Sequence, residues 1–338
     1  MENHLVRAVL NANGEIVSFV RKDSGREFVA APMNQFLLYK DVPRLFDAWD
    51  IDSPYEEQLV EVNPKAEIRV VSESPLQVSV EVKKTIGVSA LRQMISLSAD
   101  STRIEFDTTV DWKELHRLLK VSFPVDVYAT EGYNEIQYGY MKRPTHRSRQ
   151  YDKDRFEVCN HRYTALCDET HGAAVLNDCK YGVSMLDNAI NLTLLKAAGS
   201  PELRADNREH HFTYAFTAWD GPFAFSDVVQ QGYELNVPAL VVNGGEKSKS
   251  FVTVSNTNII LDTVKLAEDG SGDMIMRLYE SKGGDSTTEI HFAVPVVSVS
   301  SCNMNETKQE QGELDCTNQC ASLRFHPFEV HTIRVKTK

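Results

Sequence analysis

Four short segments gather side chains able to handle a hydroxyl-rich ligand. Residues 131–163, EGYNEIQYGYMKRPTHRSRQYDKDRFEVCNHRY, are the densest of them. Glu135, Gln137 and Gly139 alternate with Ile136, Tyr138 and Tyr140, so a strand here carries one polar face. Lys142, Arg143, His146, Arg147 and Arg149 follow in an expected loop. Sugar recognition needs charged hydrogen-bonding groups beside aromatic faces, and Glu135, Tyr138, Arg143 and His146 supply both. The same residues equally suit a solvated ion-pair network or a docking surface. In the second segment, Asn177–Gly182, Asp178 and Lys180 stand two apart. On a strand they share a face, where they pair with each other or bridge neighbouring strands. The third, Arg204–His211, holds Asp206 and His210; adjacent His210 and His211 point to opposite faces of a strand and do not share a metal ion. Either suits a general base or a structural hydrogen bond. In the fourth, Trp49 and Asp50 lie among Asp47, Asp52 and Tyr55, which reads as an aromatic-anchored docking loop. It lacks the glycine and terminal glutamate of a calcium loop.

None of these segments fixes a reaction. No nucleophile elbow, HExxH pair or local Cys–His signature occurs. A glycosidase needs two convergent carboxylates, and spacing cannot select them from 48 acidic residues. Cys316-x3-Cys320 has no second pair to complete a zinc site, and six cysteines in 338 residues make no disulfide framework. No catalytic residue and no metal ligand is therefore assigned, and the cysteines read as reduced thiols of a cytoplasmic protein.

The elements that must position these segments are strands. Ile68, Val70 and Val71, then Val78, Val80 and Val82, follow a period near two, split by Ser-Glu-Ser-Pro. Ile104, Phe106 and Val110 alternate in the same way, as do Phe251–Val254, Met274–Leu278, Ile290–Phe292 and Leu323–Phe325. Trp112–Lys120 has some helical spacing but reads as a polar turn into a strand, Leu118–Phe123. Ser226-Asp227 offers an N-cap and a short helical turn. No βαβ alternation appears. The expected class is all-β: a large antiparallel sandwich over 1–240 and a smaller one over 241–338, with the boundary in Pro238–Ser250.

Composition narrows the partners. The net charge of −12 argues against nucleic acid, whose binding rests on Lys and Arg. Charged residues at 25% and hydrophobic ones at 42% are those of a folded globular chain. No apolar leader opens the sequence, and its apolar runs fall far short of about 20 residues, so no membrane partner is expected.

Several motifs together resemble glycoside hydrolase family 38 α-mannosidases, in their C-terminal part and in the cytosolic branch. They include Asn13–Ser18, Asp47–Asp52, Val110–Glu114, Phe123–Asp126, Glu135–Gly139, Arg143–His146 and Phe156–Val158. Asn177–Gly182, Phe212–Tyr214, Arg277–Glu280 and Pro327–Glu329 continue the match in order. The resemblance implies a galactose mutarotase-like supersandwich followed by smaller β-structure. It implies a non-catalytic region of a retaining, zinc-dependent α-mannosidase, whose preceding domain supplies the aspartate nucleophile, the acid/base carboxylate and the zinc ligands. This chain itself would then carry no cofactor and show no activity alone. It would read as a fragment whose first partner is that catalytic domain, with carbohydrate the second and self-association a further possibility. Glu135, Tyr138, Arg143, His146, Asp178, Lys180, Asp206 and His210 are the expected cleft-wall or domain-contact residues, with Trp49 and Asp50 for docking. Two departures stand out: Arg208 lies where the family often has Gly, and Thr217–Gly221, after Phe212–Tyr214, where it often has a Pro-His pair. A stand-alone carbohydrate-binding protein, or a sugar mutarotase with His146 or His210 as base, is the alternative.

Overall fold

Along Ser89–Ser98 every second residue is buried, placing Leu91, Gln93, Ile95 and Leu97 on one face. The same alternation in Ile104–Asp111 lays Ile104, Phe106, Thr108 and Val110 beside them. These strands belong to a nine-stranded antiparallel sheet in the computed structural model, which describes residues 1–245 and 249–338. Its spatial order is Gly139–Pro144, Glu131–Ile136, Tyr163–Cys167, His171–Asn177, Glu209–Asp220, Ile104–Asp111, Ser89–Ser98, Gln77–Ile86 and Ala66–Glu73. A six-stranded sheet faces it: Val158–Cys159, Gly182–Leu186, Ala189–Lys196, Arg117–Pro124, Gln35–Lys40 and Leu59–Val60. The protein is all-β, as the period-two pattern predicts.

Aromatic rings fill the space between the two sheets. Phe123 stacks on Phe216 at 5.7 Å, and Phe19 meets Phe216 edge-on at 5.1 Å. One polar cluster lies inside this core. The Tyr214 hydroxyl donates to Asn34 Oδ1 at 2.7 Å and accepts from Gln93 Nε2 at 2.7 Å. Gln93 also donates to Thr108 Oγ1 at 2.9 Å, while Asn34 Nδ2 donates to Gln93 Oε1 at 2.8 Å. Each member satisfies another, which keeps four buried polar groups from destabilising the core.

Four local readings are corrected. Residues 131–140 form two strands rather than one, because Tyr138 takes a left-handed φ of 57° and turns the chain before Gly139. Lys142 and Arg143 accordingly lie on the second strand, Gly139–Pro144, and not in the loop. Asp178 and Lys180 sit in the turn between His171–Asn177 and Gly182–Leu186, not on a strand. The expected helical turn is a nine-residue helix, Val228–Asn236, whose Gln231 donates to the preceding Asp227 carboxylate at 2.7 Å.

Two compact units emerge: Met1–Glu135 with Met141–Pro238, and Ile136–Tyr140 with Ala239–Lys338. Part of the expected boundary stretch, residues 246–248, lies outside the described residues. The second unit has its own core of Met276, Leu278, Ile290, Leu323, Phe325, Ile333 and Val335. It comprises a four-stranded and a five-stranded antiparallel sheet. In it, the Ser271 hydroxyl and backbone, with Arg334, hold the Asp269 carboxyl down to about 2. A carboxyl depressed in the folded state stabilises above its unfolded value of about 3.9 and loses that contribution as pH falls toward about 2. Asp269→Asn is therefore expected to flatten the unit's acid sensitivity between those values. Urea midpoints read by circular dichroism at stepped pH check this; parallel pH curves for the two proteins would refute it.

Candidate functional site

The polar outer face of the six-stranded sheet is where the site begins. Lys120 pairs with Thr193 across neighbouring strands, and its ammonium is fully buried. It donates to Glu157 Oε2 at 2.5 Å, Ser184 Oγ at 3.0 Å and the Tyr55 hydroxyl at 3.1 Å. Thr193 Oγ1 donates to the other Glu157 oxygen. Burial pushes the Lys120 ammonium down, with Glu157 opposing it. Tyr55, on the 3-10 turn Ser53–Glu57, packs edge-on against Tyr39 at 5.1 Å. Beside it, Arg147 donates to both Glu56 oxygens, at 2.5 and 2.7 Å. Thr145 donates its hydroxyl to Ala129 O at 2.6 Å. Segment 145–157 is thereby tied to the sheet by the Lys120–Glu157 pair, to the 3-10 turn by Arg147–Glu56, and to the backbone at Ala129 by Thr145.

That segment carries the cleft. Thr130, Glu131, Lys142, Pro144, His146, Arg149, Tyr151, Asp152 and Arg155 line a space of about 640 Å³. Thr130 and His146 also border a second cleft of about 530 Å³ with Tyr128, Ser148, Asp187 and Asn188. Arg149 and Arg155 flank the Tyr151 ring, at 4.6 and 5.3 Å from its centroid. Lys142 lies over Tyr133 at 4.8 Å. The one-turn helix Gln150–Lys153 opens with the Arg149 backbone N–H donating to Asp152 Oδ2 at 3.1 Å. Arg149 Nε donates to the same oxygen at 3.1 Å. Burial pushes the Asp152 carboxyl up, but these Arg149 groups outweigh it and hold it below the ordinary carboxylate range.

Two polar atoms in this wall are spare. Asp152 Oδ1 and His146 Nδ1 are both buried from solvent without a hydrogen-bond partner. His146 Nδ1 stands 4.0 Å from Asp152 Oδ2. An acceptor oxygen, a ring nitrogen, three cations and an aromatic face in one cleft can together hold a polyhydroxylated ligand.

The other sequence-selected residues are scattered. Glu135 is buried and accepts from the Arg162 backbone at 2.6 Å and its guanidinium at 3.0 Å; burial pushes its carboxyl up against Arg162's pull. Tyr138, in the second unit, packs edge-on against Tyr279 at 5.3 Å. Arg143 donates to Cys159 O at 2.9 Å. Asp178 accepts from the Thr213 backbone at 2.9 Å, and the Lys180 ammonium lies 4.4 Å from the Phe212 ring centroid. Burial pushes Lys180 down, partly offset by Cys179, Asp178 and Asp206. His210 Nε2 bonds Asp206 O at 2.6 Å, and the Asp206 charge acts on Lys180, so the second and third segments share one neighbourhood. Trp49 is exposed, and the Asp50 carbonyl accepts from Lys196 at 2.7 Å. Of the selected residues only His146 lines the cleft of segment 145–157. Asp152, Tyr151 and Arg155 went unselected, because Arg149 is not one of the usual N-cap residues and the helix start carries no sequence signal. Lys120 also went unselected, although a lone charge in the apolar run Leu118–Phe123 signals a buried ion pair.

The chain belongs to glycosyl hydrolase family 38. Residues 1–204 match the glycosyl hydrolases family 38 C-terminal domain, and residues 258–333 match that family's C-terminal beta sandwich domain. Alpha-mannosidase 2C1 of Homo sapiens is 35% identical over 340 residues, spanning 98% of this chain and 33% of that protein. Alpha-mannosidase G of Dictyostelium discoideum is 32% identical over 352 residues, spanning 99% of this chain and 32% of that protein. The crystal structure of an alpha-mannosidase from Enterococcus faecalis superposes with a TM-score of 0.83 at 18% identity, covering 99% of this chain and 42% of that one. This last likeness concerns the fold. The chain thus spans about a third of the length of the curated relatives it matches. No helix among the described residues is long and apolar enough to cross a membrane.

Proposed function

We propose that this chain is the β-region of a zinc-dependent, retaining α-mannosidase of the cytosolic kind, buttressing its catalytic domain and contributing one wall of the sugar cleft. The observation that carries the reading is the cleft around segment 145–157, with its spare Asp152 oxygen and His146 nitrogen. Arg149, Arg155 and Lys142 would bind sugar hydroxyls as donors, Asp152 would accept from one, and Tyr151 offers a ring face. Family membership and the alpha-mannosidases among the relatives support the substrate class. Zinc is not assigned to this cleft, because Arg149 already bonds Asp152 and would repel a dication there. Its ligands, the nucleophile and the acid/base carboxylate would come from the catalytic domain of the same polypeptide.

The test has two arms. The 338-residue chain alone is expected not to hydrolyse nitrophenyl α-mannoside, with or without zinc; turnover would overturn the reading. In the polypeptide that carries this chain behind its catalytic domain, Arg149→Ala is expected to lower kcat/KM about 10–100-fold, the worth of a charged hydrogen bond. Unchanged kinetics in a folded Arg149→Ala protein would remove the cleft-wall role.

A further inference from the structure

The second unit carries a cluster that no sequence motif announces. On the central strand Ser286–Phe292, Glu289 and His291 are two apart and share the outer, solvent-facing side. The neighbouring strand Cys320–Phe325 places Cys320 directly opposite His291. His291 Nε2 stands 3.3 Å from Glu289 Oε2 and 3.9 Å from Cys320 Sγ. All three ligand atoms fall within 4.8 Å of one another. No other group of three His, Cys, Asp or Glu side chains does this among the described residues.

We infer that Glu289, His291 and Cys320 form a binding site for a borderline-soft divalent cation such as zinc. One carboxylate, one imidazole and one thiolate make a donor set that zinc accepts, with a fourth position left open. Metal–ligand bonds of about 2.0–2.3 Å at tetrahedral angles set neighbouring donors about 3.3–3.7 Å apart. The two measured separations, 3.3 and 3.9 Å, already approach that spacing on His291. The cluster rests on paired backbone: Ser286–Phe292 is hydrogen-bonded on both sides, to Val252–Val254 and to Cys320–Phe325. The Glu289 N–H further donates to Ser255 Oγ at 2.9 Å. Without a cation the trio lacks a counter-charge: Glu289 has no lysine or arginine ion-pair partner among the described residues. Binding would replace the thiol proton, released to solvent, with a metal–sulfur bond, and would give Glu289 its counter-charge. The site escapes motif reading because its cysteine acts with a histidine and a glutamate from another strand, not with Cys316.

Cobalt(II) added to the reduced, metal-free 338-residue chain tests this. The expected result is a thiolate-to-cobalt charge-transfer band that saturates at one equivalent and is bleached by zinc. Cys320→Ser should abolish the band, and His291→Ala should weaken binding at least tenfold. Both positions face outward, so circular dichroism should stay unchanged. Zinc should also slow alkylation of Cys320 at least tenfold by peptide mass spectrometry. Absence of a saturable band, or its survival in Cys320→Ser, would overturn the assignment, as would equal alkylation with and without zinc.

Discussion

Lys120→Met is expected to destabilise the first unit by about 3–5 kcal/mol, the cost of leaving a buried partner charge uncompensated. Methionine fills the volume of the lysine stem, so the loss isolates charge and hydrogen bonding. Glu157 would keep Thr193 and Tyr55 as donors but lose the ammonium at 2.5 Å. Because the glutamate side chain is only 15% exposed, water cannot replace that partner well. The double variant Lys120→Met with Glu157→Leu is expected to recover at least half of the loss, since an apolar pair asks for no counter-charge. Trp49, Trp112 and Trp219 all lie in this unit, so urea unfolding followed by tryptophan fluorescence reads it directly. A Lys120→Met loss under about 1 kcal/mol, or a double variant as unstable as the summed singles, would contradict the account. The same variant loosens segment 145–157, so trypsin should cut sooner at Arg147, Arg149 or Lys153.

The second large effect is expected at Glu280, the last residue of Met274–Glu280 and fully buried. Its carboxylate accepts from the backbone N–H of Lys282 and Gly283, each at 2.8 Å, Phe328 at 3.1 Å and Gly284 at 3.3 Å. One side chain thereby closes two separate turns of the second unit. Charge-assisted hydrogen bonds contribute about 1.5–3 kcal/mol each, and they are not additive. Glu280→Ala is expected to cost about 3–5 kcal/mol, because four donors lose their acceptor together. Glu280→Gln keeps one oxygen, best placed where Oε2 serves three N–H groups, but turns an amide NH2 toward the Lys282 N–H. Its loss should fall between wild type and alanine. No tryptophan lies in the second unit, so far-ultraviolet circular dichroism is the readout. Equal stability of the Gln and Ala variants would show that the acceptor is not what matters.

How much of this was legible depended on range. Strand periodicity is local, so Ser89–Ser98 and Ile104–Asp111 could be read from alternation alone. The turn at Tyr138 was not, because a tyrosine in the left-handed region carries no glycine or asparagine signal before it is seen. Of the cleft, His146 was legible from its company of cations. Asp152 was not, because its importance lies in one unpartnered oxygen, a property of packing. Glu135 looked like a site residue for the same reason His146 did. Its charge is spent on Arg162, a partner 27 positions away that spacing could not nominate. Lys120 and Glu157 were separately visible, but their union spans 37 residues and two elements.

The early strand Ile16–Arg21 depends on a strand made much later. Phe19 packs on Phe216, and Arg21 Nη1 donates to Ala218 O across 197 residues of chain. A ribosome adding about 5–20 residues per second needs about 10–40 s to cover that gap. For that interval the nascent chain holds Val6–Leu10 and Ile16–Arg21 without the strand against which they bury. The first sandwich therefore closes only when Glu209–Asp220 has left the exit tunnel, and the waiting apolar strands are natural clients for a chaperone at that site.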